Sequence, residues 1–211
     1  VLDGTIFYPQ GGGQPSDTGI IAFESGRIEL SDVRYYSGEV RHYFVGADSF
    51  PAQGDQIKMQ IDLSRRILNS RYHTAGHLLG HIVEEIASED GVVAVKGYQF
   101  PQGAYVEFNN AAKRPIASDI ELINRKLSGA IKEDLDVVSL ETTFEEIQKI
   151  HPHLAPFVPK DKPSRSVQIG NYPSLPCGGT HVPCLSEIGM AIATKVKNRK
   201  EHTKISYNLG M

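Results

Sequence analysis

Six apolar residues, Leu68, Tyr72, Ala75, Leu79, Ile82 and Ile86, recur every three or four positions. That period is the signature of an amphipathic helix, and no strand can accommodate it. Asp62 or Ser64 is placed to cap its start, and Gly91 lies just beyond its end, so the spacing predicts a helix from about Ser64 to Ser88. The chain before Asp62 reads differently. Short apolar pieces, Ile20–Phe23, Arg27–Leu30, Val33–Tyr36, Arg41–Val45 and Gln56–Ile61, alternate with turn signals at Ser25-Gly26, Ser37-Gly38 and Pro51 to Gly54. Strands at this spacing suit a small β-barrel. The change of period therefore predicts a β domain over 1–62 and a second domain over 63–211.

The second part mixes both patterns. A hairpin-like stretch, Val92–Phe108, is broken near Pro101-Gln102-Gly103. Ser118-Asp119-Ile120-Glu121 has capping-box form ahead of a stripe at Ile120, Ile123, Leu127 and Ile131. A strand over Asp136–Thr142, a short helix over Thr143–Ile150 and a Pro-rich loop from His151 to Pro163 follow. Strands near Ser166–Ile169, Met190–Val196 and Thr203–Leu209 complete the chain. The fold class expected is α+β: a small N-terminal β-barrel followed by a two-layer α/β domain with an antiparallel sheet.

Two clusters carry the chemistry. His73 and His77 stand four apart on the predicted helix and so point to nearly the same side. Cys177-Gly178-Gly179-Thr180-His181 lies in a loop after Pro173 and Pro176, where glycines let the backbone fold tightly. Each cluster alone is unremarkable. Together they offer three imidazoles and one thiolate, a donor set that suits Zn2+. Thr74 occupies the position where a metalloprotease helix carries its Glu base, which disfavours peptide hydrolysis. His81 continues the same side of the helix, but a drift of about 40° per four residues turns it off the ligand face, toward the surface or a supporting role. Cys184 is expected to be a buried or free thiol, and His151 and His153 to face solvent.

Composition narrows the partners. The chain has 211 residues and a formal net charge of −3, so no global basic field draws it to nucleic acid. A local patch is available in Lys195, Lys197, Arg199, Lys200 and Lys204. Two cysteines seven apart do not make a disulfide scaffold, which points to a reducing, cytoplasmic setting. Apolar runs such as Val92–Val95 are far too short to span a bilayer, so no membrane role is expected. The chain opens on Val1 rather than Met, so residues upstream of it are expected.

The paired motifs His73-Thr74-Ala75-Gly76-His77 and Cys177-Gly178-Gly179-Thr180-His181 resemble the HxxxH and CxxxH motifs of alanyl-tRNA synthetase editing domains and of free-standing AlaX-type editing proteins. Their order, their separation of about 100 residues, and Glu187-Ile188-Gly189 after the second also match. Phe7-Tyr8-Pro9-Gln10-Gly11-Gly12-Gly13-Gln14-Pro15-Ser16-Asp17-Thr18-Gly19 is similar to the glycine-rich motif of the longer AlaX proteins. The resemblance implies a hydrolase that removes serine or glycine esterified to alanine tRNA, with zinc held by His73, His77, Cys177 and His181. It implies that Gly11, Gly12, Gly13 and Gln14 help shape the substrate pocket, in a barrel that lacks its first strand here.

Val95 precedes Lys96-Gly97 where the family often has a polar residue, which leaves Thr180, Thr74 and Gln99 as candidates for reading the serine hydroxyl. Arg65, Arg66 and Arg71, with the C-terminal cations Lys195, Lys197, Arg199 and Lys200, are candidates for tRNA phosphates. Four protein ligands resemble a closed structural site, so Cys177 or His181 is expected to coordinate weakly or to give way to water. No ATP site or class II aminoacylation motif is present in the sequence. Alternative readings are a threonyl-type editing domain, whose second cluster usually has a different centre, a zinc-stapled tRNA-binding module without turnover, and a domain active only when tethered to a synthetase.

Overall fold

The computed structural model describes residues 2–47, 49–109, 119–158, 160, 164–199 and 202–210. It is an α+β structure with antiparallel sheets. The first sheet contains β1 (Gly19–Phe23), β2 (Gly26–Tyr36), β3 (Glu39–Ala47) and β4 (Lys58–Ile61), in the order β3-β2-β1-β4. Ser37 and Gly38, with φ of 50° and 91°, form the two-residue connection of the β2–β3 hairpin, in the left-handed conformation that matches strand twist. Phe7, Ile21, Ile28, Leu30 and Val33 form its small core.

Two expectations differ here. Arg27–Leu30 and Val33–Tyr36 belong to one strand. Register shifts between Ile28 and Leu30 and between Leu30 and Asp32 change the phase of alternation, so Ile28, Leu30 and Val33 all face inward. The sheet is also open: among the described residues no ladder joins its edges β3 and β4, and barrel closure is not observed.

Asp62 ends the β region and starts the next element. Its carboxylate accepts the Arg65 N–H at 3.0 Å and caps α1 (Leu63–Ile86), a contact worth about 1 kcal/mol. Beyond it run β5 (Ala94–Tyr98), β6 (Tyr105–Asn109), α2 (Ile120–Glu133), β7 (Val137–Thr142), α3 (Phe144–Ile150), β8 (Ser164–Ile169), β9 (Leu175–Pro176), β10 (Met190–Asn198) and β11 (His202–Gly210). A four-stranded sheet in the order β10-β11-β6-β5 lies under α1 and α2, and a smaller one has the order β7-β8-β9. Leu78, Leu79, Ile82, Phe108, Ile123, Leu127, Ile205 and Tyr207 are buried between the helices and the larger sheet. The capping box falls at Thr143 and Glu146 of α3. Ser118, expected to begin one at α2, lies outside the described residues. No helix among them is long and apolar enough to cross a membrane.

The segment after Phe7 is fastened to α1 by charge. Asp17 has no exposed surface, pairs with the Arg66 guanidinium and accepts the Tyr8 N–H at 2.7 Å. Arg66 also donates to the Ile6 carbonyl, and Arg65 to that of Ser16, both at 2.9 Å. Removing one member of a buried pair strands the other. Asp17→Ala is expected to lower unfolding free energy by about 3 kcal/mol, measured by urea denaturation.

Candidate metal centre

His73 and His77 lie in the middle of α1 on the side facing the glycine-rich loop and the segment after β9. That segment continues the β8–β9 pairing, since the Cys177 N–H donates to the Arg165 carbonyl at 2.9 Å. The donor atoms of His73, His77, Cys177 and His181 all lie within 4.8 Å of one another. Cys177 Sγ is 3.5 Å from His73 Nε2 and 3.3 Å from His181 Nε2. The two clusters, about 100 residues apart in sequence, therefore meet at one point.

Two of the three imidazoles are held from behind. His73 Nδ1 donates to Gln14 Oε1 at 2.7 Å, and His181 Nδ1 to Thr74 Oγ1 at 3.0 Å. The Thr74 hydroxyl donates to the Ser70 carbonyl at 2.9 Å and also accepts the Val182 N–H at 3.2 Å, so it has only acceptor capacity left for His181. Both rings thereby turn an Nε2 lone pair toward the sulfur. Gln14 reaches across the site as well. Its Oε1 accepts the Thr180 N–H, and its Nε2 donates to Thr180 Oγ1, each at 2.9 Å. Ser70 Oγ lies 2.7 Å from the same hydroxyl.

Glycine is needed at Gly179 for contact, not for freedom of turning. Neither Gly178 nor Gly179 has a positive φ, and a Cβ at Gly179 would overlap the His73 ring. Gly13, by contrast, has φ of 80°, and a Cβ there would collide with the Gly97 carbonyl.

Burial sets the protonation states. Desolvation holds the His73 pKa down at about 4 and that of His181 at about 2, with the nearby charges of Arg165 and, for His181, of His73 adding to it. His77 is also pushed well below 6.5, first by burial and then by its histidine neighbours. Burial raises the Cys177 thiol to about 11, against the opposing Gly179 N–H and Arg165 charge. The chemistry suits a divalent cation. Three neutral imidazoles surround one buried thiol, and His77 Nδ1 is buried without a partner. A cation would engage such donors and draw the proton off sulfur.

Arg165 carries no sequence signal of its own, yet it spans the ligand loop. Its Nε donates to the Cys177 carbonyl at 3.1 Å and its Nη2 to the Gly179 carbonyl. Tyr8 stands near the same group. Burial, then the Cys177 charge, raises its phenol to about 12. Ser70, one turn before His73, also went unsignalled.

Gln99 is buried with its amide against Gly76 and its Oε1 on the Tyr207 hydroxyl. Gly11 and Gly12 are exposed at the turn of their loop. The guanidinium groups of Arg65 and Arg66 are engaged as described, and Arg71 binds the Ile188 carbonyl through two N–H groups at 2.7 and 3.0 Å. Lys195, Lys197 and Arg199 are exposed on or just after β10, and Lys200 lies outside the described residues. His81 is neither on the surface nor in the cluster: it is buried and stacks on Tyr172 at 5.0 Å. His151 is half-buried and binds the Ser174 carbonyl, while His153 is exposed. Cys184 is a free thiol 3.4 Å from Ser186 Oγ.

Two outcomes follow for the metal-free protein and its loading. Burial, and then the His151 charge, lowers His81 to about 4. In the unfolded chain an imidazole protonates near 6.5, so below that pH the unfolded state binds more protons. Stability from neutral burial is complete above about pH 6.5 and is lost as pH falls toward 4. His81→Phe should flatten the fall in unfolding free energy between pH 6.5 and 5 by up to about 1.4 kcal/mol per pH unit, read from urea titrations at each pH. Arg165→Met should weaken the affinity of the four-donor group for a divalent cation by about 10- to 100-fold, read by chelator competition.

Comparison with known proteins places this geometry in context. Residues 1–65 match the family described as tRNA synthetases class II (A). The whole chain aligns at 31% identity with the alanyl-tRNA editing protein AlaX-L of Pyrococcus horikoshii, covering 51% of that protein. It aligns over 98% of its length, at 29% identity, with AlaX-M of Methanosarcina barkeri, covering 86% of it. An alanine–tRNA ligase of Alkaliphilus oremlandii is 31% identical over 91% of this chain, which corresponds to 22% of the ligase. The chain thus spans about half of AlaX-L and about a fifth of the ligase.

Proposed function

From the alignment of this chain along its length with AlaX-type alanyl-tRNA editing proteins, we propose that it hydrolyses the ester of mischarged alanine tRNA, releasing serine or glycine. The observation that carries this reading is the convergence of His73, His77, Cys177 and His181. These four would hold Zn2+, and the pocket would take in the terminal aminoacyl-adenosine. Residues 1–62 would form the domain that brings the glycine-rich loop, and 63–211 the catalytic domain. The setting proposed is cytoplasmic.

When bound, zinc would supply Lewis-acid polarisation or a water of pKa about 7. The protein's own groups do the rest. Gln14 and Thr74 keep the His73 and His181 imidazoles in the tautomer that directs Nε2 inward. Gln14 also holds Thr180, so the loop bearing Cys177 and His181 is positioned against α1. A ligand that coordinates weakly, Cys177 or His181, would leave room for substrate or water. Discrimination against alanine needs a polar group that is satisfied by the serine hydroxyl and left unpaired by a methyl group. Of the candidates, Thr180 keeps hydrogen-bonding capacity for it, beside Gly11, Gly12 and Gly13, whereas the Thr74 hydroxyl is filled by Ser70, Val182 and His181 and the Gln99 Oε1 is on Tyr207. Phosphates would be met by Lys195, Lys197, Arg199 and Lys200, with Arg65, Arg66 and Arg71 contributing through whatever N–H groups their internal bonds leave over.

A zinc-stapled, non-catalytic module is the competing reading, favoured by the closed four-donor arrangement. Kinetics decide between them. Wild-type protein should deacylate serine-charged alanine tRNA and spare alanine-charged tRNA. His73→Ala and Cys177→Ala should each lose at least about 100-fold in rate. Serine-charged threonine tRNA should be the poorer substrate. Undiminished turnover after chelation would remove the metal from the chemistry, and zinc-loaded protein that binds tRNA without turnover would leave the stapled module.

A further inference from the structure

Ser70 is unusual on α1 for where its hydroxyl goes. Serine inside a helix ordinarily turns its hydroxyl back to the carbonyl four residues earlier, and it is a poorer helix former than alanine. Ser70 is 6% exposed, and its Oγ lies instead 2.7 Å from Thr180 Oγ1, 110 residues further along the chain. Helical spacing puts it one turn before both His73 and Thr74.

Two routes run from this residue to the cluster. The first leaves by the hydroxyl. Thr180 Oγ1 also accepts the Gln14 Nε2–H, the Thr180 N–H donates to Gln14 Oε1, and the same Oε1 accepts the His73 Nδ1–H at 2.7 Å. The second leaves by the carbonyl, which accepts the Thr74 hydroxyl at 2.9 Å. Thr74 Oγ1 in turn accepts the His181 Nδ1–H at 3.0 Å. A residue outside the donor set thus reaches one imidazole through Thr180 and Gln14 and another through Thr74 alone.

The ligand loop is gripped on both sides of His181. Gln14 takes the Thr180 N–H at 2.9 Å, and Thr74 takes the Val182 N–H at 3.2 Å. The fit is close, since a Cβ at Gly179 would overlap the His73 ring and come within 3.0 Å of Gln14 Oε1. Without the Ser70 hydroxyl, Thr180 loses its hydrogen bond to the helix, and the contacts to Gln14 hold this end of the loop alone. Outer partners of this kind orient the ligands of a metal and tune their basicity.

We propose that Ser70 is a positioning residue of the cation site. Its hydroxyl sets Thr180 and, through Gln14, the His73 ring, while its carbonyl sets Thr74 and the His181 ring. The assignment rests on the reading that the four donors hold a divalent cation, and it makes no use of hydrolysis.

Mutation separates the two routes. Ser70→Ala removes the hydroxyl and keeps the carbonyl, and alanine favours the helix. It should weaken cobalt(II) affinity, measured by chelator competition, by about tenfold. That loss should be shared with Thr180→Val, so that the double variant binds cobalt(II) no more weakly than Thr180→Val alone, whereas the losses from Ser70→Ala and Thr74→Val should add. In the metal-free protein, nitrogen NMR spectra of the imidazoles should show His73 leaving its single Nδ1–H tautomer in Ser70→Ala while His181 keeps its own. Wild-type affinity and an unchanged His73 tautomer in Ser70→Ala would overturn the assignment, as would additive losses with Thr180→Val. Wild-type protein that takes up no cobalt(II) would remove the cation reading, and the His73 tautomer alone would then decide whether Ser70 positions that ring.

Discussion

A single buried carboxamide ties the molecule together. Gln14 has no exposed surface, and its partners His73 and Thr180 lie 59 and 166 residues downstream. Its Oε1 accepts two N–H groups and its Nε2 donates to a hydroxyl, so reversing the amide would set donors against the Thr180 N–H. The orientation is thus fixed by chemistry, and with it the tautomer of His73. The Asp17–Arg66 pair, three residues further on, anchors the same loop to α1. The β-rich N-terminal part is in this way a structural component of a centre whose ligands all come from elsewhere.

Burial gives that centre its character. Imidazoles in low-dielectric surroundings stay neutral, and a thiol there keeps its proton. A cation bound by all four donors would use the neutral imidazoles as they stand and draw the proton off the sulfur. The outward nitrogens of His73 and His181 are engaged by Gln14 and Thr74, which raises their basicity toward the centre and limits their rotation. His77 differs, since its Nδ1 has no protein partner. Four protein donors resemble a closed structural site, so the Arg165 clamp across the Cys177–His181 loop bears directly on how firmly two of those donors are held.

Much of this was legible in the sequence because it depends on local spacing. The 3.6-residue period located α1 to within a few residues, and four-residue spacing put both histidines on one side of it. Contacts made over long separations left no such trace. Arg165 reads as an ordinary strand residue, and its role exists only because β8 and β9 pair beside the ligand loop. Gly178 and Gly179 looked like a turn, whereas only Gly179 is constrained, by the His73 ring. His81 read as helix surface or a supporting group, because periodicity cannot see Tyr172 stacked on it. The arginines of the first turns of α1 looked available for phosphates, but their guanidinium groups satisfy backbone carbonyls and Asp17. Register shifts in β2 merged two expected strands, since a bulge alters alternation without any turn residue.

The central claim is that one divalent cation draws together two imidazoles of a helix and the thiolate and imidazole of a distant loop. Cobalt(II) titration of the metal-free protein tests it most directly, because thiolate ligation adds a near-ultraviolet charge-transfer band to the tetrahedral visible spectrum. One equivalent per chain, with a band abolished by Cys177→Ser and unaffected by Cys184→Ser, is the predicted result. A spectrum without thiolate character, or one that depends on Cys184, would contradict it.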